Sequence, residues 1–420
     1  MNKKSVLSWC LFDWGNSAFS TVIITFVFSV YFARGIVGDE VAGSAQWGYA
    51  LALSGILIAL LSPPLGAIAD DYGDRKRFLF FFSMLCVIPT ALLWWAVPDP
   101  SFGNVSMVLS LIVLANVGFE IALVFANAML PHISPAPMLG RVSGWAWGMG
   151  YIGGLFCLVL ALVGLIGLGD MAPLLPLPQE HSEHIRATGP LTALWMFIFM
   201  LPLLLFTHDT GRTGMSLKSA AQKGVADLIH TLKNVRQHKN LALFMGSSMI
   251  YRDGLNTLFA VGGLYAAGTL GMSFDEILIF AIGLNVTAGI GAVAFAWLDD
   301  GIGSKKTILI SLTGLIVTGA AVLFVQDKQT FIGLALALGL FLGPVQSASR
   351  TMAARLAPAG MINQTYGFYG LTGKCISFMG PLAFAIATQA FDSQRAGIAT
   401  ILVFWLVGMV MLVAVKEERS

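Results

Sequence analysis

Twelve apolar stretches, each long enough to cross a lipid bilayer, dominate the 420-residue chain. A helical crossing needs about 20 residues. Only 11% of the residues are charged, whereas a soluble chain carries about 25%. We therefore predict an all-α integral membrane protein with twelve transmembrane helices. Helices 1 to 12 are predicted near residues 8–33, 46–69, 77–97, 105–130, 141–168, 191–207, 241–267, 275–298, 305–325, 331–356, 365–390 and 396–415.

The loops between these stretches differ in charge. If the N-terminus lies in the cytoplasm, most of the 24 lysine and arginine residues fall in cytoplasmic loops. Positive residues accumulate on the cytoplasmic side of membrane proteins. The pattern predicts that both termini are cytoplasmic, in the inner membrane of a bacterium.

Two motifs occur once in each half of the chain. The pattern D-x-x-N-[ST]-x-F begins at Asp13 and again at Asp253, and D-x-x-G-x-[RK]-K begins at Asp70 and again at Asp300. Repeated halves are a known transporter design, with the substrate site near the bilayer midplane. We predict a six-helix bundle over 1–207, a linker over 208–240 and a second six-helix bundle over 241–420.

The linker contains apolar residues at helical spacing beside basic ones. This pattern predicts an amphipathic helix on the anionic inner leaflet, with a protein partner as the alternative. The apolar positions are Leu228, Ile229, Leu232 and Val235, and the basic ones are Lys233, Arg236 and Lys239.

The loop from Gly66 to Arg77, G-x-x-x-D-x-x-G-x-R-K-R, resembles the signature loop of the major facilitator superfamily. Further stretches resemble the vacuole-effluxer-like family of that superfamily, whose fungal members export amino acids from the vacuole. They are Trp9–Phe32, Leu130–Gly154, Tyr251–Thr257 and Ser349–Pro381. The resemblance implies a bacterial secondary transporter that works by alternating access, carries a small polar solute such as an amino acid, and is coupled to protons.

The signature loop has a physical interpretation. Asp70 can meet the positive N-terminal end of a neighbouring helix, and the basic cluster can meet anionic lipid. The resemblance implies that this loop latches the cytoplasmic gate; alternatively, the cluster only sets the topology. Because Ala296 replaces the first glycine of the second copy, we expect the second latch to be weaker. The predicted gating residues are Gly66, Asp70, Gly73, Arg75, Lys76, Asp300, Gly303 and Lys305.

Five ionisable residues lie within apolar stretches, where each is costly and suggests a functional site. In the superfamily, helices 1, 4, 7 and 10 line the central cavity. Glu120 could carry a coupling proton or form a static ion pair with Arg252 or Lys374, and Arg252 could pair across the bundle or hold a substrate carboxylate. The predicted substrate or coupling-ion cavity comprises Asp13, Asn16, Asn116, Glu120, Asn127, Arg252, Asp253, Asn256, Gln346 and Lys374.

Glycines on helices 5 and 11 predict close packing and a bend. Five glycines on helix 5 would let neighbouring helices approach. The run resembles the helix-5 motif of exporters, although Gly150 stands where proline is usual. Gly380-Pro381 is the predicted bending point of helix 11. The helix-5 residues are Gly144, Gly148, Gly150, Gly153 and Gly154.

Other classes of function lack a supporting pattern. The sequence has no ATP-binding P-loop and no Ser/His/Asp arrangement, so we expect no enzyme, no cofactor and no nucleic-acid partner. His181, Glu183 and His184 are interpreted as a polar loop, so no metal site is predicted. The expected partners are a small-molecule substrate, protons and membrane lipids, with the chain acting as a monomer. A lipid or lysophospholipid flippase of the same fold and a non-transporting sensor are the alternatives.

Overall fold

The computed structural model describes residues 2–167, 171–209, 211, 213–233, 238–272 and 274–417. Over these residues the chain forms twelve long helices and no β-strand. They are α1 (Lys3–Val37), α2 (Glu40–Tyr72), α3 (Arg75–Leu92), α4 (Phe102–Ala128), α5 (Leu139–Ala161), α6 (Thr188–Phe206), α7 (Lys239–Leu270), α8 (Phe274–Ala294), α9 (Ser304–Val322), α10 (Lys328–Leu356), α11 in two pieces, α11a (Ile362–Cys375) and α11b (Met379–Phe391), and α12 (Gln394–Val413). A shorter linker helix (Leu217–Lys233) lies between α6 and α7.

The twelve predicted helices are confirmed, since each apolar stretch corresponds to one of these long helices. Eleven helices are long and apolar enough to cross a membrane, by length and composition among the described residues. The remaining long helix, α7, has 32 residues and carries the adjacent charges Arg252 and Asp253.

The first helix is irregular. α1 is α-helical over Lys3–Ala18 and then widens into π-helix over Phe19–Phe26 and again over Phe32–Val37. The hydroxyl of Thr25 donates to the carbonyl of Ser20, five residues earlier. π-Helical turns are rare and often mark functional positions. In α1 they directly follow the motif that begins at Asp13.

The chain divides into two compact units that do not follow the midpoint of the sequence. Unit 1 comprises Met1–Leu61, Tyr72–Met129 and Met149–Gly214. Unit 2 comprises Ser62–Asp71, Leu130–Gly148 and Met215–Ser420. The end of α2 and the start of α5 therefore belong to the same unit as helices α7 to α12.

Unit 1 has an aromatic and aliphatic core. Phe19 packs against Phe119 with ring centroids 5.2 Å apart, and Phe32 packs against Trp47 at 5.4 Å. The hydroxyl of Tyr31 is buried and donates to the carbonyl of Ala96 at 2.7 Å. These contacts fix α1 against α2, α4 and the segment that follows α3.

Unit 2 is packed through small residues. The hydroxyl of Ser247 on α7 donates to the carbonyl of Gly408 on α12 at 2.7 Å, and the buried Trp405 ring covers Gly254. Small residues let helix backbones approach closely where lipid supplies no hydrophobic driving force between helices. Close packing fixes how each helix of the unit is rotated and therefore which polar groups it presents.

Candidate functional site: two aspartate latches and the polar face of α7

Asp70 belongs to the last turn of α2, and its carboxylate lies against the N-terminus of α11a. Its Oδ1 accepts hydrogen bonds from the backbone amide of Asn363 at 3.0 Å and from Asn363 Nδ2 at 2.6 Å, and its Oδ2 accepts the amide of Gln364 at 2.8 Å. A carboxylate there satisfies amides that have no partner within the helix and meets the positive end of the helix dipole. We call these contacts the first latch.

Two glycines bring the backbones of the first latch together. A Cβ on Gly66 would lie 2.5 Å from the carbonyl oxygen of Asn363, and a Cβ on Gly367 would lie 2.6 Å from that of Ser62. Neither glycine leaves room for a side chain. The crossing of α2 and α11a therefore depends on these two residues as well as on the carboxylate.

Asp300 makes the equivalent contact with α5. Its Oδ1 accepts the amide of Gly140 at 2.7 Å, and its Oδ2 accepts the amide of Arg141 at 3.2 Å and Arg141 Nε at 2.6 Å. We call these contacts the second latch. Because α5 and α11 occupy matching places in the two halves, the sequence repeat corresponds to a repeated contact.

Charged groups surround the second latch, whose expected weakness relative to the first remains a prediction. Asp300 forms an ion pair with Arg141 in addition to accepting the amides at the start of α5. Arg355 also pairs with Asp299 at 2.9 Å beside it. Ala296, which replaces the first glycine of the second copy, packs beside Gly144, a residue without a side chain.

The loops of both motifs turn at a glycine. Gly73 has φ +74° and Gly303 has φ +95°, values that residues with a side chain rarely adopt. Arg75, the first residue of α3, is buried, and Arg77 pairs with Asp74 at 2.7 Å. The two glycines place the start of α3 and of α9 directly after the aspartates.

Lys76 and Asp209 cap each other's helices in unit 1. The amide of Lys76, in the first turn of α3, donates to Asp209 Oδ2 at 3.0 Å, just beyond the end of α6. In return, Lys76 Nζ donates to the carbonyls of Leu204 and Thr207 in the last turn of α6. An anion at a helix start and a cation at a helix end are both stabilising.

Lys305 and Glu417 repeat this arrangement in unit 2. The amides of Ser304 and Lys305, at the start of α9, each donate to Glu417 at 2.9 Å, just beyond the end of α12. Lys305 Nζ donates to the carbonyls of Val413 and Val415. Asp209 and Glu417 were not predicted from the sequence. The signal was present, because each is an acidic residue three or four positions after the last helix of its half.

Arginines on α10 extend the polar contacts of the second latch. Arg350 is buried and donates from Nε to Ser143 Oγ at 2.9 Å, with its guanidinium carbon 5.6 Å from the centre of the Trp147 ring. Arg355 pairs with Glu417 at 3.1 Å. The start of α5, the end of α10 and the chain end thus share one polar network.

The glycines of α5 face two different neighbours. A Cβ on Gly144 would meet the carbonyl of Ala292 on α8, and one on Gly148 would meet the side chain of Val293. Further along α5, a Cβ on Gly150 would lie 2.8 Å from Ser17 Oγ of α1. Two further glycines of the run also lie against α1, Gly153 beside Trp14 and Gly154 beside Thr21.

The polar residues of α1 and α4 lie in unit 1. Asn116 is buried and donates to Ser54 Oγ on α2 at 2.6 Å, whereas Glu120, one turn later, is half-buried, as is Asn127. Asp13 is buried too. Asn16 faces a small pocket inside the unit, together with Phe12, Ser83, Val87, Met196 and Met200.

α11 is broken just before Gly380. The helix stops at Cys375 and restarts at Met379, and the amide of Gly380 donates to Asp253 Oδ2 at 2.8 Å. Thr257, one turn along α7, lies so close to Gly380 that no side chain fits there. Pro381 follows in the first turn of α11b, where the missing amide of proline costs no hydrogen bond.

The other predicted residues of unit 2 lie on α7, α10 and α11a. Arg252 is half-buried and contacts Tyr369, whereas Asn256, one turn later, is exposed. Gln346 donates from Nε2 to the carbonyl of Leu342 at 3.3 Å. Lys374 lies in the last turn of α11a.

The linker helix contacts the end of α2. A Cβ on Gly224 would lie 2.9 Å from the backbone of Ala67 and Ile68, and Lys223 pairs with Asp71. Of the predicted amphipathic residues, Ile229 is exposed and Lys239 begins α7. The placement of Val235 and Arg236 and the side chains of Leu228, Leu232 and Lys233 lie outside the described residues. Gly224 and Lys223 therefore bring the linker helix into contact with the segment that carries Asp70.

No metal site is found in the described part of the chain, where no group of three His, Cys, Asp or Glu residues could hold an ion. In the loop before α6, Glu183 instead accepts the amide of His181 at 3.0 Å, and Arg186 donates to the carbonyl of His181 at 3.2 Å.

Twelve helices, with the motif of the latch aspartate repeated in each half of the sequence, define a transporter of the major facilitator superfamily. The solved structure of the proton:xylose symporter XylE bound to 6-bromo-6-deoxy-D-glucose has the same fold, with a TM-score of 0.73 at 14% sequence identity. The alignment covers 99% of this chain and 96% of that one.

Within the superfamily, the chain belongs to the family described as "Vacuole effluxer Atg22 like", whose model matches residues 33–420. The Bacillus subtilis protein YxiO, an uncharacterized MFS-type transporter, is 27% identical over 99% of this chain and 96% of its own length. Autophagy-related protein 22 of Cryptococcus neoformans is 23% identical over 67% of this chain and 51% of its own length. The chain thus spans about half the length of that fungal relative.

Proposed function

We propose that the protein is a proton-coupled secondary transporter that moves a small polar solute, such as an amino acid, by alternating access. It works as a monomer in the plasma membrane of a bacterium, with both termini in the cytoplasm. The two latches lie on the cytoplasmic side and hold that side closed while the substrate site is open to the outside.

The observation that carries this proposal is the pair of latches. Asp70, from the first half of the sequence, caps α11a of the second half, and Asp300, from the second half, caps α5 of the first half. Each cap consists of a few polar contacts at a helix end. A cap of this kind contributes about 0.3–2 kcal/mol, so it can be broken and remade during a transport cycle.

Glu120 is the proposed proton carrier. It is half-buried on α4, one turn from Asn116, whose side chain is fixed by Ser54. An ionisable carboxylate on a membrane-spanning helix is costly to maintain and marks a candidate proton site. It would take up and release a proton as the hydration of the site changes between the two states of the cycle.

The direct test is uptake into proteoliposomes, followed by mass spectrometry of a mixture of amino acids and related polar solutes, with and without a pH gradient. We expect a subset to accumulate only when the gradient is present. Movement of lipid alone would instead indicate a flippase, and no movement of any solute or lipid would favour a sensor.

The proton role of Glu120 has its own test. Glu120→Gln should abolish accumulation driven by the pH gradient but retain exchange of substrate across the membrane, because only the proton-linked step is lost. Asp39→Asn, on an exposed residue between α1 and α2, is the control and should accumulate substrate normally. Unchanged gradient-driven uptake by Glu120→Gln would remove Glu120 from the mechanism.

A further inference from the structure

The side chain of Arg252 is held in a fixed position between α7 and α11a. Its guanidinium carbon lies 4.0 Å from the centre of the Tyr369 ring, and its NH1 donates to the carbonyl of Tyr369 at 2.8 Å. A Cβ on Gly373 would lie 2.6 Å from its NH2, so the glycine admits the guanidinium against the helix backbone. Stacking and hydrogen bonding together define the plane of the guanidinium group.

The ring that supports Arg252 is itself held by other rings. Tyr369 stacks on Phe244 of α7 with an interplanar angle of 5° and a centroid distance of 6.3 Å, and it meets Tyr366 edge-on. The hydroxyl of Tyr366 donates to the carbonyl of Arg350 at 2.8 Å. A binding group supported in this way is ordered before its ligand arrives, which lowers the entropy lost on binding.

Arg252 has no carboxylate partner among the described residues. Its hydrogen bond and its ring contact are both with Tyr369, whereas Arg141 and Arg355 each form an ion pair with an aspartate. A guanidinium carries five N–H donors, and an unpaired charge in a membrane protein is costly.

Asn256 lies one turn further along the same face of α7. Its side chain is exposed and forms no hydrogen bond within the described part of the chain. An amide on a membrane-spanning helix is costly against lipid, so such a residue faces water or a polar ligand. Arg252 and Asn256 thus offer a fork of charged donors and a neutral amide, separated by one helical turn.

We propose that Arg252 and Asn256 form an anion-binding site that takes the carboxylate group of a small organic acid or zwitterion. The carboxylate accepts two parallel hydrogen bonds from the free edge of the guanidinium, a geometry that arginine provides and lysine does not. Asn256 binds a second polar group of the same molecule. This inference rests on the proposed transport function and specifies the chemical class of its substrate.

A thermal-shift experiment on the purified wild-type protein tests the site without requiring transport. The probes are a pool of L-amino acids, the pool of their C-terminal amides, and lysophosphatidylglycerol. We expect the amino acids to raise the melting temperature and the amides, which lack the carboxylate, to have no effect. No shift from the amino acids, an equal shift from the amides, or a shift from the lysolipid alone would overturn the proposal.

Variants then assign the effect to the site. Arg252→Gln should lose the shift, and Arg252→Lys and Asn256→Leu should weaken apparent binding about tenfold, which corresponds to 1.4 kcal/mol. Arg186→Lys is a matched control, since Arg186 also lies over a ring, that of Trp94 at 5.0 Å, and donates to the carbonyl of Trp94. Binding by Arg252→Lys equal to that of the wild type would count against the fork.

Uptake by the same variants separates the two proposals. If Arg252→Gln accumulates amino acids as well as the wild type does, transport stands and the anion site is wrong. If carboxylates stabilise the wild type but not Arg252→Gln, and neither protein moves any solute, the site stands and the transport function is wrong.

Discussion

The carboxylate of Asp253 accepts a hydrogen bond from the amide of Gly380 at 2.8 Å, where the broken helix α11 restarts. Asp253 belongs to α7, so one helix caps the interrupted half of another. The second oxygen of the buried carboxylate, Oδ1, has no hydrogen-bond partner among the described residues. Interrupted helices with oriented half-helix ends occur at the substrate and ion sites of transporters.

Replacing the cap should separate its hydrogen bond from its charge. We expect Asp253→Leu to lower the free energy of unfolding by about 1–3 kcal/mol, because the buried amide of Gly380 loses its acceptor. Asp253→Asn keeps an acceptor oxygen and should stay close to the wild type. Unfolding in mixed detergent micelles measures both. Equal losses in the two variants would show that the charge matters more than the hydrogen bond.

A side chain at position 380 should disturb the same junction by steric overlap. We expect Gly380→Ala to cost about 1–3 kcal/mol, since its methyl group would overlap the hydroxyl of Thr257. The double variant Gly380→Ala with Thr257→Ala should regain part of this loss. Gly262→Ala on α7, with open space around its Cβ, is the control and should be neutral in the same unfolding assay.

Closing the first latch should require a glycine at position 66. We expect Gly66→Ala to reduce solute uptake by about tenfold or more, because its methyl group would meet the carbonyl of Asn363 and cost 1–3 kcal/mol. The control position is Gly55 on the same helix, where a Cβ would have no atom within 4 Å. The Gly55→Ala variant should therefore transport normally. Equal uptake by both variants would contradict the role of the latch.

The reciprocal caps should matter to similar degrees in the two halves. We expect Asp209→Ala and Glu417→Ala each to lower stability by about 0.5–2 kcal/mol, the range for losing a helix cap. Each removes the acceptor for amides at the start of α3 or α9. Glu180→Ala, on an exposed loop residue, should leave the unfolding transition unchanged. A loss in only one of the two variants would show that the repeated contacts are not equivalent.

The sequence predicts the helices well because membrane crossing imposes a length and a composition. It also predicts the aspartates of the two latches, since the motif beginning at Asp70 recurs at Asp300. Both signals are local or repeated, and neither depends on which way a helix is rotated.

Contacts that depend on helix rotation could not be predicted. The membrane-spanning helices are apolar on nearly every face, so periodicity does not show that Arg252 meets Tyr369. The ion pair between Asp300 and Arg141 could not be predicted for a similar reason, because the two residues lie about 160 positions apart in the sequence.

The latches contain an asymmetry that bears on how such proteins diverge. Gln364 and Gly140 donate to the aspartates through their main chains. At position 364, any residue except proline that fits supplies the same donor, whereas a Cβ at position 140 would lie 2.6 Å from the side chain of Asp299. The first latch therefore constrains one residue of this pair, its aspartate, and the second latch constrains both its aspartate and its glycine.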